Sequence, residues 1–471
     1  MFLRQLWDEA LAQASYFIGC PATREALVID PTRDVDRYRA LAQQFGYRIV
    51  AVTETHIHAD FLSGSRELAE QTGATLYLSG CGDAEWSYRW APDGAVLLHT
   101  GDSFRVGNVL VTVFHTPGHT PEHLCFAVID RGRGATQPMG LFTGDFLFVG
   151  DVGRPDLLES AVGEQGKARS AAQQLFESLQ LLEHFPDFVL VWPGHGAGSA
   201  CGKALGAVPH STVGYERRYN PALQISDRER FIAYVLSGQP EPPLYFARMK
   251  RLNRDGVPPL KKLPRPRAMT LDVVRQMPEV WLVDTRPWEF FRQGHLDGAL
   301  FAPFARALPT VVASYVPEDA PIVLVARHRW LEDIVRWLAR VGVDKLLGYV
   351  EPEELERSGR LRSVEVIGTE DIDTLRRRHD VLFLDVRDRS EYEAGHLPGA
   401  YHAPYARLPQ YLGQLPREAE LVVYCQSGER SAYAAAYLQR AGFRVRLYGG
   451  GFAEWVRYGG EVVRSEPFGG A

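Results

Sequence analysis

Cysteine is scarce in this chain, which has only five in 471 residues. They are odd in number and irregularly spaced: Cys20, Cys81, Cys125, Cys201 and Cys425. A secreted scaffold held together by disulfides needs more cysteines in regular pairs, so that class is excluded. The sequence instead predicts a protein of the reducing cytoplasm.

The chain also lacks any apolar run that approaches the roughly 18 residues of a membrane span. Its first residues show no long apolar core of a signal peptide. The net charge is −6, so there is no basic excess that would favour nucleic acid or an anionic membrane as a partner. The length predicts about three domains of roughly 150 residues each. The oligomeric state stays open, a homo-oligomer included.

Histidine and aspartate cluster directly after an apolar, β-branched run at residues 49–53. His56, His58 and Asp60 follow one another at every second position, in a loop that a buried strand would hold. Imidazole and carboxylate together are metal ligands. A histidine-rich turn without a metal is the competing interpretation of this motif alone.

Three further stretches place a metal-capable residue after a strand-like run. His119 follows residues 109–114, Asp145 follows a short apolar run, and His195 follows residues 188–191. Each lies in a loop marked by Gly or Pro. One shared metal site at the strand ends explains all four stretches.

This series resembles the metallo-β-lactamase superfamily, whose pattern is His-x-His-x-Asp-His followed by a His, a bridging Asp and a late His. The chain departs from it at Phe61, which has no lone pair for a second metal. A single metal held by His56, His119 and Asp145 is a two-His, one-carboxylate set, typical of non-heme Fe(II) oxygenases. Within the superfamily this set resembles the persulfide dioxygenases, which implies one Fe(II) per chain.

The same resemblance leaves His58, Asp60 and His195 to orient the ligands and bound water from a second shell. Arg154 matches an arginine that family members place beside the carboxylate of a thiol substrate, although an ordinary surface arginine is the alternative. Cys201 lies six residues beyond His195 in a Gly-rich loop. It is either a thiol that relays sulfur or a small residue in a tight loop.

The C-terminal part of the chain repeats itself with an offset of 101 residues. Its matched positions are Asp284 with Asp385, His295 with His396, and Ala299 with Ala400. Two copies of one domain are the simplest explanation. The shared Asp-x-Arg and Gly-His-x-x-Gly-Ala pattern resembles the rhodanese family, an α/β fold with a parallel sheet.

The second copy retains a reactive thiol. Cys425 follows the buried strand at residues 421–424 and begins a loop that runs to Arg430, before an Ala-rich helix. Backbone N–H groups of the loop and the positive end of the helix stabilise a thiolate or a sulfur anion carried on it. Gly428 allows the tight ring, and Arg430 adds a cation. The pattern therefore predicts sulfur transfer.

The first copy has lost this chemistry. Its equivalent strand at residues 322–325 leads into Ala326, Arg327 and His328, with neither cysteine nor glycine in the loop. We therefore predict that this copy is catalytically silent and structural.

The predicted fold class is α/β and α+β: an αββα metallo-β-lactamase sandwich followed by two rhodanese-like α/β domains. The predicted domains are a persulfide dioxygenase domain at residues 1–245, a Pro-rich basic linker at 246–267, an inactive rhodanese-like domain at 268–357 and an active one at 362–465. A basic tract such as 261–267 is also compatible with anion binding, but its prolines favour a semi-rigid linker.

Together the halves resemble the bacterial persulfide dioxygenase–rhodanese fusions. The resemblance implies that a small persulfide, of glutathione or another thiol, is oxidised by O2 to sulfite, and that a Cys425 persulfide converts sulfite to thiosulfate. Two alternatives stay open. One is a zinc thioester hydrolase of the glyoxalase II type fused to a rhodanese, and the other is a non-enzymatic sulfur sensor or scaffold.

Overall fold

A computed structural model describes residues 1–160, 163, 166–356, 359 and 361–464, without the side chains of residues 158 and 356. The chain divides into two compact units, of which the first comprises residues 1–262 with 340–342 and the second begins at Leu263. The predicted domain ends at residues 357 and 465 lie outside the described residues. Among the described helices, none is both long and apolar enough to cross a membrane.

The first sheet of unit 1 is built from apolar, β-branched segments. Its strands, in spatial order, are β1 (Phe2–Asp8), β2 (Gln13–Cys20), β3 (Glu25–Ile29), β4 (Arg48–Thr53), β5 (Thr75–Ser79) and β6 (Val96–Leu98). The first three strands pair antiparallel, and β3 to β6 pair parallel. The metal-capable loop at residue 56 therefore leaves the carboxyl end of a parallel strand, β4.

The second sheet carries the other predicted site loops. Its strands are β7 (Ser103–Val106), β8 (Val109–His115), β9 (Leu124–Asp130), β10 (Gly140–Gly144), β11 (Leu190–Pro193) and β12 (Ser211–Thr212), in the spatial order β12-β11-β10-β9-β8-β7. The pair β10–β11 is parallel, and the other pairs are antiparallel. The loops of Asp145 and His195 therefore leave neighbouring strands at the same edge.

Helices cover the outer faces of both sheets. They are α1 (Asp36–Phe45), α2 (Ser65–Thr72), α3 (Leu157–Ser160), α4 (Lys167–Leu179), α5 (Val213–Tyr219), α6 (Arg228–Leu236) and α7 (Phe246–Asp255). One apolar cluster lies between the two sheets. A second cluster lies between the first sheet and its helices, and a third lies between the second sheet and its helices. This layering is the predicted αββα sandwich.

The predicted linker begins too early. Residues 246–255 form α7, whose residues Phe246, Met249, Lys250 and Asn253 are buried at the spacing of one helix face. Compact unit 1 extends to Lys262. The prolines on both sides of this segment favoured a linker in the sequence, but residues 246–255 form a helix of unit 1.

Unit 2 contains two five-stranded parallel sheets. The first comprises β13 (Arg267–Ala268), β14 (Trp281–Asp284), β15 (Leu300–Phe301), β16 (Ile322–Val325) and β17 (Leu346–Val350); the second comprises β18 (Glu365–Ile367), β19 (Val381–Asp385), β20 (Tyr401–His402), β21 (Glu420–Tyr424) and β22 (Arg444–Tyr448). Their spatial orders, β13-β17-β16-β14-β15 and β18-β22-β21-β19-β20, are the same. The repeat read from the sequence therefore has the same topology in each half.

The helices of unit 2 alternate with these strands: α8 (Leu271–Arg275), α9 (Trp288–Gln293), α10 (Leu308–Tyr315), α11 (Leu331–Arg340), α12 (Pro352–Glu356), α13 (Ile372–Arg376), α14 (Arg389–Ala394), α15 (Glu429–Arg440) and α16 (Gly451–Tyr458). In each copy the arginine of the Asp-x-Arg motif binds its own aspartate and a glycine carbonyl. Arg286 donates to Gly294 and Arg387 to Gly395, both at 2.7 Å. The arginine of the motif thus makes the same structural hydrogen bonds in both copies.

Candidate functional site

Three side chains from different loops meet at the carboxyl ends of the strands in unit 1. His56 Nε2 lies 4.0 Å and His119 Nε2 lies 3.4 Å from Asp145 Oδ2. All three residues are buried, and their ligand atoms lie within 4.8 Å of one another. The structure thus brings together the predicted triad as a possible metal site.

Hydrogen bonds to the far ring nitrogens orient both histidines. His56 Nδ1 lies 2.9 Å from Thr55 Oγ1, and that hydroxyl donates to Asp30 Oδ2 at 2.9 Å. His119 Nδ1 lies 3.1 Å from the carbonyl oxygen of Arg154. Since a carbonyl can only accept, His119 Nδ1 carries a proton and Nε2 keeps its lone pair. Metal-bound histidines are oriented in the same manner.

The charge states suit a cation. Burial lowers the pKa of both His56 and His119, so their rings stay neutral. Burial alone would raise the pKa of Asp145, but the charge and hydrogen bond of His195 hold it well below its usual value. Its Oδ2 atom has no hydrogen-bond partner among the described residues. A buried, ionised oxygen of this kind is a group that a metal ion would satisfy.

His195 does not enter the triad, because carboxylates hold both of its ring nitrogens. Nδ1 lies 2.7 Å from Asp145 Oδ1, and Nε2 lies 2.8 Å from Asp60 Oδ2. Burial opposes a charge on the ring, but Asp145 and Asp60 raise the pKa of His195 well above its usual value. His195 is therefore an imidazolium that donates to both aspartates.

His58 also lies outside the triad. Its Nε2 is 3.1 Å from Asp30 Oδ1, the same carboxylate that reaches His56 through Thr55. Despite burial, Asp30, Asp60 and Glu54 raise the pKa of His58 to about 9. Its ring packs on fully buried Phe61 with the centroids 4.3 Å apart. His58 and His195 thus lie beside members of the triad, and Asp60 bonds to His195; the orienting role implied for these three residues stays a prediction.

Asn253 of α7 clamps the loop that carries His56. Its side-chain amide donates to the carbonyls of His58 and Phe61, both at 2.7 Å, and its Oδ1 accepts from Ser63 N at 2.9 Å. Three bonds from one buried side chain fix the backbone across six residues. Asn253 was not predicted from the sequence, although the helical spacing of 246, 249, 250 and 253 was a signal that could have revealed its burial.

Two further buried residues beside the triad were also missed. His123 Nε2 accepts from the backbone N–H of Asp145 at 3.1 Å. Glu122 Oε1 accepts from Ile57 N at 2.6 Å, between the two histidines of the first motif. Both follow directly on the His119 loop, so they could have been found as further polar residues before β9.

Cys201 lies beside Asp60 and His195, outside the triad. Its thiol is within 4.8 Å of the ligand atoms of Asp60 and His195. Burial raises the pKa of the Cys201 thiol well above its usual value, and Asp60 and Asp145 add to the effect. The thiol is therefore held neutral, and a sulfur-relay role for it stays a prediction.

Arg154 is buried, and its guanidinium already has protein partners. It binds both carboxylate oxygens of Asp156, at 2.8 and 2.6 Å, and it donates to the carbonyl of Ala200 at 2.9 Å. Its contacts fasten the Cys201 loop to the His119 side of the site. The predicted contact with a substrate carboxylate stays a prediction.

In the second copy of unit 2, Cys425 lies at the end of β21. Its sulfur accepts from Gly428 N at 3.1 Å and from Ser431 Oγ at 3.5 Å. Gly428 has a φ of 101°, a backbone conformation that favours glycine. The N–H of Gly428 thus points towards the sulfur at the start of α15, and a role of this loop in sulfur transfer stays a prediction.

Arg430 is fixed by a carboxylate rather than left free beside the thiol. Its Nη1 and Nη2 bind Glu391 at 2.5 and 2.8 Å. Burial works against both charges, but this pairing lowers the pKa of Glu391 and raises that of Arg430. A paired, planar guanidinium provides a cation of constant position at the rim of the loop.

The corresponding loop of the first copy is closed by its own carboxylates. Ala326 stands at the end of β16, and His328 N donates to Glu351 Oε1 at 3.0 Å. Arg327 Nη1 pairs with Glu353 at 2.9 Å. A backbone N–H of this loop therefore already binds an internal carboxylate, and an alanine stands where Cys425 stands in the second copy. That this copy is catalytically silent stays a prediction.

Comparison with known families places both halves of the chain. Residues 9–195 match the model described as the metallo-beta-lactamase superfamily, and residues 369–458 match the rhodanese-like domain. The first range contains the whole triad, and the second contains Cys425.

Two characterised families occur among the relatives. The chain is 37% identical over 155 residues to a hydroxyacylglutathione hydrolase of Nitrosococcus oceani, which covers 32% of this chain and 54% of that protein. It is 29% identical over 230 residues to the mitochondrial persulfide dioxygenase ETHE1 of Homo sapiens, covering 49% and 78%. The chain thus spans only about half the length of the first of these relatives.

A solved structure extends the likeness across more of the chain. The metallo-beta-lactamase from Staphylococcus aureus subsp. aureus COL is 38% identical, with a TM-score of 0.68, and the match covers 75% of this chain and 98% of that one. The matched family models and this structure agree, and the chain belongs to the metallo-beta-lactamase superfamily, with a rhodanese-like domain in its C-terminal part.

Proposed function

We propose that the chain is a non-heme Fe(II) persulfide dioxygenase coupled to a sulfurtransferase. The observation that carries the proposal is the triad itself: two neutral imidazoles facing one ionised, unsatisfied carboxylate oxygen, with Phe61 where a further ligand would stand. Similarity to the human persulfide dioxygenase supports the same activity.

His56, His119 and Asp145 fit a single ferrous ion by donor type and charge. Two histidines and one carboxylate leave open positions for substrates. Bound there, iron would supply the redox chemistry by which O2 oxidises the terminal sulfur of a persulfide. The balanced reaction is RSSH + O2 + H2O → RSH + SO3²⁻ + 2H⁺.

The surrounding residues hold the triad in its productive state. His195 binds Asp145 Oδ1 and so directs the ionised Oδ2 towards the two histidines. Asp30, through Thr55, orients His56, and the clamp from Asn253 fixes the loop. Burial of all these groups excludes water, which strengthens the electrostatic interactions among them.

Cys425 would then carry sulfur to the sulfite. The thiolate attacks the outer sulfur of a second persulfide, forms Cys–S–S⁻ and releases RSH. Attack by sulfite on that outer sulfur forms thiosulfate and returns the thiolate. The N–H of Gly428, 3.1 Å from the sulfur, stabilises the negative charge at each stage.

The direct test is to purify the full chain without oxygen, identify its metal and measure oxygen uptake with glutathione persulfide. We expect about one iron per chain and sulfite or thiosulfate as products. Two zinc ions per chain with thioester hydrolysis would overturn the proposal.

A zinc-dependent thioester hydrolase is the second candidate. The 37% identity with a hydroxyacylglutathione hydrolase favours it, as do Asp60 and His195, which remain beside the triad. Phe61 opposes it, because a phenyl ring cannot complete a second metal site. Hydrolysis of S-lactoylglutathione by the zinc-loaded chain would separate the two candidates.

A smaller effect is expected at Thr55, whose hydroxyl links Asp30 to His56. Thr55→Val keeps the shape of the side chain and removes this link, so we expect metal affinity to fall about tenfold. Competition with a chromophoric chelator would measure it. Thr53→Val is the matched control, because the buried Thr53 hydroxyl has no hydrogen-bond partner among the described residues. Equal affinity in the two variants would contradict the orienting role.

The copy at residues 268–357 is predicted to transfer no sulfur. Substituting Arg327 and Arg329 together by alanine should leave thiosulfate:cyanide sulfurtransfer nearly intact, because this loop has no thiol and its N–H faces Glu351. Deleting the whole copy should destabilise the protein or uncouple its activities, which thermal melting and product ratios would reveal. Sulfurtransferase activity from this copy expressed alone would refute the prediction.

A further inference from the structure

The helix that follows Cys425 is enclosed from two sides within unit 2. Residues Ser431 to Leu438 of α15 are all buried. One side packs on β21 and β22 of its own copy, and the other packs on β15 of the preceding copy. The preceding copy therefore completes the surroundings of the helix that carries the Cys425 loop.

Aromatic rings form the first connection between the copies. Tyr433 of α15 stacks on Phe301 of β15, with ring centroids 5.6 Å apart and planes inclined by 26°. The hydroxyl of Tyr433 donates to Glu429 Oε1 at 2.7 Å. Glu429 is the first residue of α15, directly after Gly428 of the Cys425 loop, so Phe301 contacts the start of this helix through one intermediate ring.

A second connection links α10 of the preceding copy to α15 and to Tyr405 of the second copy. Tyr315, at the end of α10, stacks on Tyr437 at 4.4 Å. Its hydroxyl donates to the backbone carbonyl of Tyr405 at 2.8 Å. Tyr405 belongs to the second copy, so this hydrogen bond and the ring stack join α10 to that copy at two points.

A third contact anchors the far end of the helix. Arg440 donates to the carbonyl of Gly298 at 2.6 Å, and its guanidinium lies 3.8 Å from the centre of the Trp281 ring. Both partners belong to the preceding copy. The helix is thus held at its two ends and along one side.

We infer that the silent copy sets the reactivity of Cys425, and that Tyr315 and Phe301 are positioning residues for sulfur transfer. They touch neither substrate nor sulfur. They hold Tyr405, Glu429 and α15 in place, next to the Gly428 N–H that donates to the sulfur. This inference rests on the proposed sulfur-transfer function and adds the residues that prepare the thiol for it.

The test uses the full chain with Tyr315→Phe, which removes the hydrogen bond to Tyr405 and keeps the ring stack. Tyr349→Phe in β17 is the matched control, because it removes the same atom from the same copy away from α15. Alkylation of Cys425 by iodoacetamide is followed by mass spectrometry of its peptide. Thiosulfate:cyanide sulfurtransfer is measured per titrated Cys425.

We expect Tyr315→Phe to slow alkylation and lower kcat about threefold to tenfold, which is the effect of one lost hydrogen bond. KM for thiosulfate and the melting temperature should stay close to those of the parent, because the residue acts on the nucleophile rather than on substrate binding. Tyr349→Phe should match the parent in every measurement. Phe301→Leu, which weakens the second connection, should slow alkylation in the same direction.

Parent-like alkylation in both Tyr315→Phe and Phe301→Leu would overturn the inference. Equal slowing in Tyr349→Phe would overturn it too, since the effect would then be general destabilisation. Alkylation does not depend on sulfur chemistry. If the parent transfers no sulfur but Tyr315→Phe still slows alkylation, the proposed function fails while the positioning role stands.

Discussion

Asp145→Ala is expected to leave the protein without its metal and without oxygen uptake. The substitution removes the only carboxylate of the triad and its unsatisfied oxygen, and Phe61 offers no replacement ligand. It also removes a partner of His195, whose charge would remain buried. Substituting a residue that only orients a metal ligand lowers metal affinity about 10–100-fold. Removing a charged ligand should therefore lower the metal affinity by more than about 100-fold.

Metal content by mass spectrometry and oxygen uptake with glutathione persulfide measure this result. Asp187→Ala is the control, because Asp187 lies on the surface just before β11 and pairs with Arg217 and Arg218 of α5, away from the triad. Iron retained at the parent level in Asp145→Ala would show that the triad is not the metal site.

Cys425→Ser is expected to change the product rather than stop the oxidation. A serine hydroxyl has too high a pKa for the loop to ionise and forms no persulfide, so sulfur transfer should fall at least about 1,000-fold. The triad belongs to the other compact unit and shares no residue with the Cys425 loop, and independent sites behave additively. The variant should therefore consume oxygen with a persulfide and release sulfite where the parent releases mostly thiosulfate.

Ion chromatography of sulfite and thiosulfate decides between the outcomes. Cys81→Ser, a half-buried cysteine of unit 1, should keep the product ratio of the parent. Thiosulfate in the parent's proportion from Cys425→Ser would move sulfur transfer elsewhere, with Cys201 as the first residue to test. Loss of oxygen uptake would show that the two activities are coupled.

Residues that follow strands were the ones the sequence could locate. His56, His119 and Asp145 each stand just beyond an apolar run, and such runs predict strands whose ends meet at one sheet edge. The Cys425 loop was predictable for the same reason, because strand, loop and helix are contiguous in the chain. The two sheets of unit 2 followed from the constant offset of 101 residues between repeated motifs.

Partners that are distant in sequence could not be predicted. Asp30 reaches His56 only through Thr55, and Asn253 reaches the same loop from α7. The helical spacing of α7 marks Asn253 as buried but does not indicate its partner, and nothing local links Asp30 to Thr55, because the fold brings these groups together. The linker prediction was wrong at 246–255 because flanking prolines and basic residues outweighed the apolar spacing of α7.

The Asn253 clamp also bears on synthesis. His58 and Asn253 are 195 positions apart, and Tyr245, which donates to the Asp60 carbonyl, arrives almost as late. At about 5–20 residues per second, a ribosome needs roughly 10–40 s to travel that distance. The histidine loop of the nascent chain is therefore synthesised long before Asn253, and it lacks these hydrogen bonds during most of the translation of its own domain.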